Sequence, residues 1–247
     1  MEVLEAREIE ISGWGGDRIR GYLATPASTQ PVGSVVVIHH LPGYDRSTRE
    51  ITRRFAAAGF RASCPNLYSR EATGGTSDQD AAALVRAQGG IADARLVGDV
   101  SGAADLLRSL EGSNGKVGVI GFCSGGRQAF LAACELQLQA LVDCYGAFVV
   151  GTPPPGSPLS VEPVVDRAPT LSCPMLGVFG AEDKFPSPSD NEVLADALRA
   201  AGKQFEFRLY EGAGHAFFDP DRPSYRPEAA VDGWQRVMDF FAEHLGS

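Results

Sequence analysis

Lys116-Val-Gly-Val-Ile-Gly-Phe-Cys-Ser-Gly-Gly126 is the stretch that decides the fold. An apolar strand leads into Gly121-Phe-Cys-Ser-Gly125, and helix-forming sequence follows that turn. This is the pattern of a nucleophile elbow, which presents a reactive side chain on a sharp turn between a strand and a helix. A side chain at either flanking glycine would clash with the neighbouring strand or helix. The pattern indicates Cys123 as a nucleophile, and a buried cysteine on a glycine-rich turn is the alternative.

Cys123 is expected at the N-terminus of the helix that follows the turn. The helix dipole and the free backbone amides there favour a thiolate. The amide of Ser124 is then a natural donor of an oxyanion hole. The Ser124 hydroxyl competes for the role of nucleophile, but its spacing from the two glycines favours Cys123.

Strand-like and helix-like segments alternate along the rest of the chain. Alternating apolar residues predict an antiparallel hairpin over 3–11 and 19–24, and the β-branched run 34–38 predicts a strand buried on both faces. The other strands are predicted at 60–64, 116–120, 140–144, 175–179 and 204–210. Helices are predicted at 48–58, 92–110, 125–134, 190–201 and 227–245. The alternation predicts one α/β domain over 1–247, with a mostly parallel sheet flanked by helices.

Two segments interrupt this rhythm. Residues 68–90 are rich in Gly, Ala and Gln and are interpreted as a loop with one short helix, whereas residues 151–173 carry six prolines. Both are expected to overhang the carboxyl ends of the strands, where ligands bind in such sheets.

A nucleophile needs a base, and the base needs an orienting acid. Asp183 comes just after the strand predicted at 175–179, and Glu182 is the second choice for the acid. His215 follows the strand predicted at 204–210, in a glycine-containing loop that can turn it inward. The order of nucleophile, acid and base is the one expected for this architecture, so Cys123, Asp183 and His215 are the predicted triad.

Two histidines end the buried strand predicted at 34–38. The loop that follows would supply a second oxyanion amide, that of Leu41. No further His or Cys lies at ligand spacing from this pair, so no metal site is expected. His40 is expected to line the site beside Cys123, while His39 points the other way as a structural hydrogen-bonding residue.

The composition of the chain indicates which kinds of binding partner to expect. The formal net charge of -9 argues against nucleic acid. No apolar run approaches the ~20 residues that span a bilayer, and the acidic start lacks the features of a secretory signal. We therefore expect a cytoplasmic protein without a membrane partner.

The remaining cysteines are expected to be reduced core residues: Cys64, Cys134, Cys144 and Cys173.

Six motifs together resemble the dienelactone hydrolase family (carboxymethylenebutenolidases) from about Ile19 to Leu245. They are Cys64-Pro-Asn-Leu-Tyr68, Asn114-Gly-Lys-Val-Gly118, Gly121-Phe-Cys-Ser-Gly-Gly126, Tyr145-Gly146, Gly180-Ala-Glu-Asp183 and Gly212-Ala-Gly-His215-Ala-Phe217. The resemblance implies an α/β-hydrolase fold and a Cys-His-Asp triad at the positions chosen above. It also implies that no metal or organic cofactor is needed.

The chain departs from the family pattern at two places. His40 stands where the family has a glutamate that helps to activate the thiol, so His40 becomes a second base or donor. Asp219 stands where the family has a substrate-binding arginine four residues after the catalytic histidine; the nearest candidate for a second such arginine is Arg86. An aspartate at 219 should repel an anionic substrate. A neutral, fairly apolar substrate is expected, with Tyr145, Phe217 and Phe218 as wall residues; the core is the alternative for the two phenylalanines.

The predicted activity is hydrolysis of a small carboxylic ester or lactone through a thioester on Cys123. Three alternatives stay open: a promiscuous hydrolase of aryl esters or phosphotriesters, a thioesterase or acyltransferase, and a binding protein that kept the fold. The expected state is a monomer or a small homo-oligomer.

Overall fold

The computed structural model describes residues 4–27, 30 and 32–246, and the structural statements below refer to them. Eight strands form one sheet in the order β1-β2-β4-β3-β5-β6-β7-β8. The strands are β1 Glu5–Ser12, β2 Arg18–Thr25, β3 Val32–Ile38, β4 Arg61–Pro65, β5 Ser113–Phe122, β6 Ala140–Cys144, β7 Met175–Gly180 and β8 Phe205–Tyr210.

The sheet is mostly parallel, as predicted. β1 and β2 form the expected antiparallel hairpin, and β2 also pairs antiparallel with β4. From β4 to β8, neighbouring strands are parallel. Val3, the first residue of the predicted hairpin, lies outside the described residues. Every residue of β3 is buried, as its β-branched run predicted, because β3 lies between β4 and β5 under helices on both faces.

Six α-helices cover the sheet: α1 Arg46–Ala57, α2 Asp78–Ala87, α3 Asp93–Ser109, α4 Ser124–Glu135, α5 Pro188–Ala200 and α6 Pro227–Leu245. Apolar residues of α3 and α4 contribute to one core cluster, and those of α1 and α6 contribute to the other. Asp45 is the N-cap of α1, and its carboxylate accepts a hydrogen bond from the amide of Thr48. The chain leaves the helix through Gly59 at a φ of 94°. The chain is therefore an α/β fold with helices on both faces of the sheet.

The two irregular segments meet next to the elbow. Helix α2 is the short helix expected within 68–90, and a single 3₁₀ helix, Val165–Thr170, lies within 151–173. The amide of Ser160 donates a hydrogen bond to the carbonyl of Gly89 over 2.9 Å. Residues of both segments line a cavity of about 30 Å³ together with Leu41 and Ser124. Among the described helices, none combines the length and the apolar character needed to cross a bilayer.

Candidate active site

Cys123 occupies a backbone conformation that few residues other than glycine adopt. It lies between β5 and α4 with φ 57° and ψ −123°. A Cβ at Gly121 would lie 1.8 Å from the carbonyl oxygen of Gly125, and a Cβ at Gly125 would lie 2.7 Å from that of Ile38. The Cys123 carbonyl accepts hydrogen bonds from two amides, which hold the turn. The glycines therefore allow the strand and the helix to approach closely while the Cys123 side chain stays partly exposed.

His215 and Asp183 lie on the loops after β8 and β7, the two strands at one edge of the sheet. Nδ1 of His215 is 2.9 Å from Oδ2 of Asp183, and the Asp183 side chain is 1% exposed. The other carboxylate oxygen accepts a hydrogen bond from the amide of Phe185. Glu182, the second choice for the acid, is exposed. Asp183, and not Glu182, is thus the carboxylate that is hydrogen-bonded to His215.

The imidazole of His215 interacts with both Asp183 and Cys123. Burial lowers the pKa of His215, but hydrogen bonds to Asp183 and Cys123 outweigh it and raise that pKa to about 10. Because Nδ1 is occupied by Asp183, Nε2 is the nitrogen left for Cys123. The three side chains thus lie in the order carboxylate, imidazole and thiol, which is the order that nucleophilic catalysis requires.

A cavity of about 530 Å³ opens beside Cys123 and His215. Its walls include four aromatic rings, those of Phe122, Tyr145, Phe218 and Trp234. The Tyr145 ring stands edge-on to the imidazole of His215, with 5.3 Å between the centroids. A site of this size with aromatic walls and a few polar groups suits a small organic molecule.

Most of the predicted site residues lie at this cavity. His40, Leu41, Tyr145, Phe218 and Asp219 line it.

Two of the predicted substrate-binding residues, Phe217 and Arg86, do not line the cavity. Phe217 does not line the cavity: its side chain is fully buried and packs against Tyr145 and Tyr210. Arg86 is not a lining residue either, because its guanidinium lies against the backbone and donates to the Leu41 carbonyl over 3.4 Å. Phe217 is therefore a core residue that supports the wall, and Arg86 supports the loop after β3.

Leu41 and Ser124 are the predicted oxyanion donors. Leu41 lines both cavities, and Ser124 is the first residue of α4, where backbone amides lack partners inside the helix. The Ser124 hydroxyl is buried and has no hydrogen-bond partner among the described residues, and Ser124 lines only the smaller of the two cavities. The competing hydroxyl thus lies away from the cavity that Cys123 and His215 share.

The two histidines after β3 have different surroundings. His39 is buried, its Nδ1–H donates to the His40 carbonyl over 2.9 Å, and its Nε2 accepts from the Leu67 amide over 3.2 Å. Burial lowers the pKa of His39 to about 4, against a smaller opposite effect of the His40 carbonyl. His39 is a neutral structural residue, as expected. His40 instead lines the cavity and pairs with Asp45 over 2.6 Å, a partner that sequence reasoning missed.

The charge of Asp219 is balanced within the site. Arg222, three residues later, donates to the Asp219 carboxylate over 3.0 Å, and both residues line the cavity. The predicted repulsion of an anionic substrate is therefore offset. Arg46 and Arg54, two further lining residues that sequence reasoning missed, have no carboxylate partner among the described residues; Arg54 instead stacks 4.4 Å from the Trp234 ring.

Metal ligands are not clustered in the part of the chain that the structure describes: no group of three or more His, Cys, Asp or Glu side chains could hold an ion there. The fold, the elbow and its partners define the class as an α/β-hydrolase.

Comparison with known proteins identifies the family. The model of the dienelactone hydrolase family matches residues 19–245. A carboxymethylenebutenolidase from Pseudomonas putida is 30% identical over 240 residues, which cover 95% of each chain. A crystal structure of a "Putative Dienelactone Hydrolase" from Klebsiella pneumoniae superposes with a TM-score of 0.84 at 31% identity, covering 98% of this chain and 99% of that one. The chain belongs to the dienelactone hydrolase family and is an enzyme of the hydrolase class.

A second solved structure is similar in fold. It is a dienelactone hydrolase-like promiscuous phosphotriesterase from metagenomic libraries, with a TM-score of 0.79 and 24% identity, covering 98% of this chain and 99% of that one. At this identity, the similarity establishes the shared fold and nothing about substrates.

Proposed function

We propose that this protein hydrolyses carboxylic esters or lactones with Cys123 as the nucleophile, through a thioester intermediate. His215 serves as the acid–base residue and Asp183 orients it. The observation that carries the proposal is the hydrogen bond between Asp183 and His215, with His215 and Cys123 together at the wall of the cavity. Family membership supports the same reaction class.

The acylation step follows from the protonation state of His215. With a pKa of about 10, His215 is protonated near neutral pH, so an imidazolium stands beside the sulfur and stabilises a thiolate. The thiolate attacks the ester carbon, the carbonyl electrons move to oxygen, and the C–O bond then breaks. Nε2–H of His215 gives its proton to the departing alkoxide, which leaves as the alcohol.

The negative oxygen formed in this step needs hydrogen-bond donors. The amide of Ser124 at the start of α4 and the amide of Leu41 after β3 are the proposed donors. The positive end of the α4 dipole adds to the stabilisation. Water then attacks the thioester once a base has removed its proton, and Cys123 leaves as the thiolate.

The cavity favours a substrate with an apolar or aryl part. Aromatic rings form its walls, and the Asp219 carboxylate is balanced by Arg222. Size and lining suit a small molecule rather than a macromolecule. Aryl esters fit these walls. The remaining expectations stay predictions: phosphotriester hydrolysis, thioesterase or acyltransferase activity, a cytoplasmic location and the oligomeric state.

Turnover of p-nitrophenyl acetate by matched cysteine variants tests the proposal. Cys123→Ala should abolish turnover, and iodoacetamide should inactivate the wild type. Cys134→Ala, at the other end of α4, removes a buried thiol that does not line the cavity and should leave turnover unchanged. Wild-type rates in Cys123→Ala would refute the assignment of the nucleophile. Equal losses in both variants would point to damage to α4 instead.

A further inference from the structure

A second histidine–carboxylate pair lies at the wall of the same cavity. Nε2 of His40 is 2.6 Å from Oδ2 of Asp45. The other oxygen of Asp45 accepts hydrogen bonds from the amide and the hydroxyl of Thr48, both over 2.9 Å. Asp45 is thus fixed as the N-cap of α1, and it fixes His40 in turn.

The hydrogen bond to Asp45 determines which ring nitrogen of His40 is free to accept a proton. Burial raises the pKa of the Asp45 carboxyl, but hydrogen bonds from His40 and Thr48 outweigh it and bring that pKa well below its usual range. Asp45 is therefore a carboxylate, and a carboxylate only accepts hydrogen bonds, so Nε2 of His40 carries the proton. In the neutral ring the lone pair is then on Nδ1, for which the described residues supply no hydrogen-bond donor. The neutral imidazole thus has an unoccupied acceptor at Nδ1.

Hydrolysis of the thioester requires a base that removes a proton from the attacking water. His215 becomes neutral when it protonates the alcohol. Its Nδ1 stays hydrogen-bonded to the Asp183 carboxylate, which favours uptake of a new proton at Nε2. An imidazolium restored by a proton from solvent would stabilise the thiolate that departs in the second step. An imidazolium cannot also accept a proton from the attacking water.

We propose that His40, held by Asp45, is the general base that activates the hydrolytic water, an inference that rests on the proposed function. Nδ1 of His40 takes one proton from the water, and the oxygen bonds to the acyl carbon. The C–S bond then breaks, its electron pair stays on Cys123 beside the His215 imidazolium, and the carboxylic acid leaves. His40 returns its proton to solvent. His40 is a catalytic residue in this scheme, and Asp45 is a positioning residue.

Three variants separate this role from a structural one. His40→Gln removes the base. Asp45→Asn keeps an oxygen to cap α1 but places an NH₂ group against Nε2, so the ring must carry its proton on Nδ1 and loses its free acceptor. Asp190→Asn is the control, because Asp190 lies in the capping box of α5 and does not line the cavity.

Rapid-quench kinetics with p-nitrophenyl acetate, together with intact-protein mass spectrometry, provides the test. For His40→Gln and Asp45→Asn we expect the first release of p-nitrophenol to stay within about threefold of wild type. Steady-state turnover should fall by about 10²-fold, the usual contribution of a general base, and the acetyl-enzyme should accumulate. Hydroxylamine, which attacks a thioester without a base, should restore turnover. Asp190→Asn should behave as the wild type.

Two results would overturn the role of His40. One is a steady-state rate within about twofold of wild type in His40→Gln, since a general base contributes far more. The other is an equal fall in the first release and in the steady state, with no acetyl-enzyme and no rescue by hydroxylamine. Failure of the proposed function is distinguishable, because Cys123→Ala would then turn over as fast as the wild type and no variant would carry an acetyl group.

Discussion

Replacing Asp183 with asparagine removes one charge from the site and little else. The asparagine side chain has nearly the same shape and can still accept the hydrogen bond from the Phe185 amide that Asp183 accepts now. It cannot stabilise the His215 imidazolium as a carboxylate does, and its NH₂ group can impose the wrong tautomer on the ring. We therefore expect the fold to survive and the chemistry to fail.

The size of the loss follows from the contact. At the observed separation of 2.9 Å, and with an effective dielectric constant of ~20, two unit charges interact by at most ~6 kcal/mol. The His215 side chain is 35% exposed, so solvent screening reduces this energy to about half. About 3 kcal/mol corresponds to about a 10²-fold fall in kcat/KM. The tautomer error adds to this, and the same change in a serine protease costs about 10⁴-fold.

The assay is hydrolysis of p-nitrophenyl acetate near neutral pH, with thermal unfolding to verify the fold. Glu182→Gln is the matched control, because Glu182 is an exposed carboxylate on the same loop and the partner of His215 is Asp183 instead. We expect Glu182→Gln to retain the wild-type rate. An Asp183→Asn enzyme within about fivefold of wild type, or an equal loss in Glu182→Gln, would refute the role of the carboxylate.

Three further predictions concern the turn, the charges and the pH response. A Cβ at Gly121 lies 1.8 Å from the Gly125 carbonyl oxygen, so Gly121→Ala should lower the free energy of unfolding in urea by about 3 kcal/mol or more; a wild-type value would contradict the elbow geometry. Arg222→Ala leaves Asp219 unbalanced and should lower kcat/KM for a carboxylate-bearing p-nitrophenyl ester about fivefold relative to p-nitrophenyl acetate; an unchanged ratio would contradict it. The pKa of His215 is raised from 6.5 to about 10 in the folded chain, so its contribution to stability is complete below pH 6.5 and is lost as the pH rises to about 10. The stability gap between wild type and His215→Gln in urea should shrink over that range, and a gap that widens would contradict the assignment.

Local sequence was sufficient for the architecture and the elbow. The glycines at 121 and 125 are required by the close packing of one turn. That packing involves only a few neighbouring residues, so the pattern can be recognised in the sequence. The continuous apolar run in β3 likewise predicts burial on both faces of the strand from a few consecutive residues. Element bounds shifted by a few residues because helix caps and strand pairing, rather than hydrophobic pattern, set the ends; β5, for example, begins at Ser113 and not at 116.

The parts of the site that sequence missed depend on contacts between loops. Asp45 has an ordinary local role as a helix cap, and nothing in its sequence reveals that its second oxygen meets His40. Phe217 and Phe218 are adjacent and equally apolar, so only the turn of the loop decides that Phe218 faces the cavity and Phe217 the core. The pairing of Arg222 with Asp219 likewise depends on how the loop after β8 folds back on itself.

The most direct measurement is the location of the acyl group during turnover. The enzyme is mixed with p-nitrophenyl acetate, quenched in acid within the first turnover, digested, and mapped by mass spectrometry. We expect the acetyl group on the peptide that contains Cys123, attached through sulfur and removable by hydroxylamine. An acetyl group on the Ser124 oxygen, or an enzyme that turns over normally and never carries an acyl group, would contradict the account.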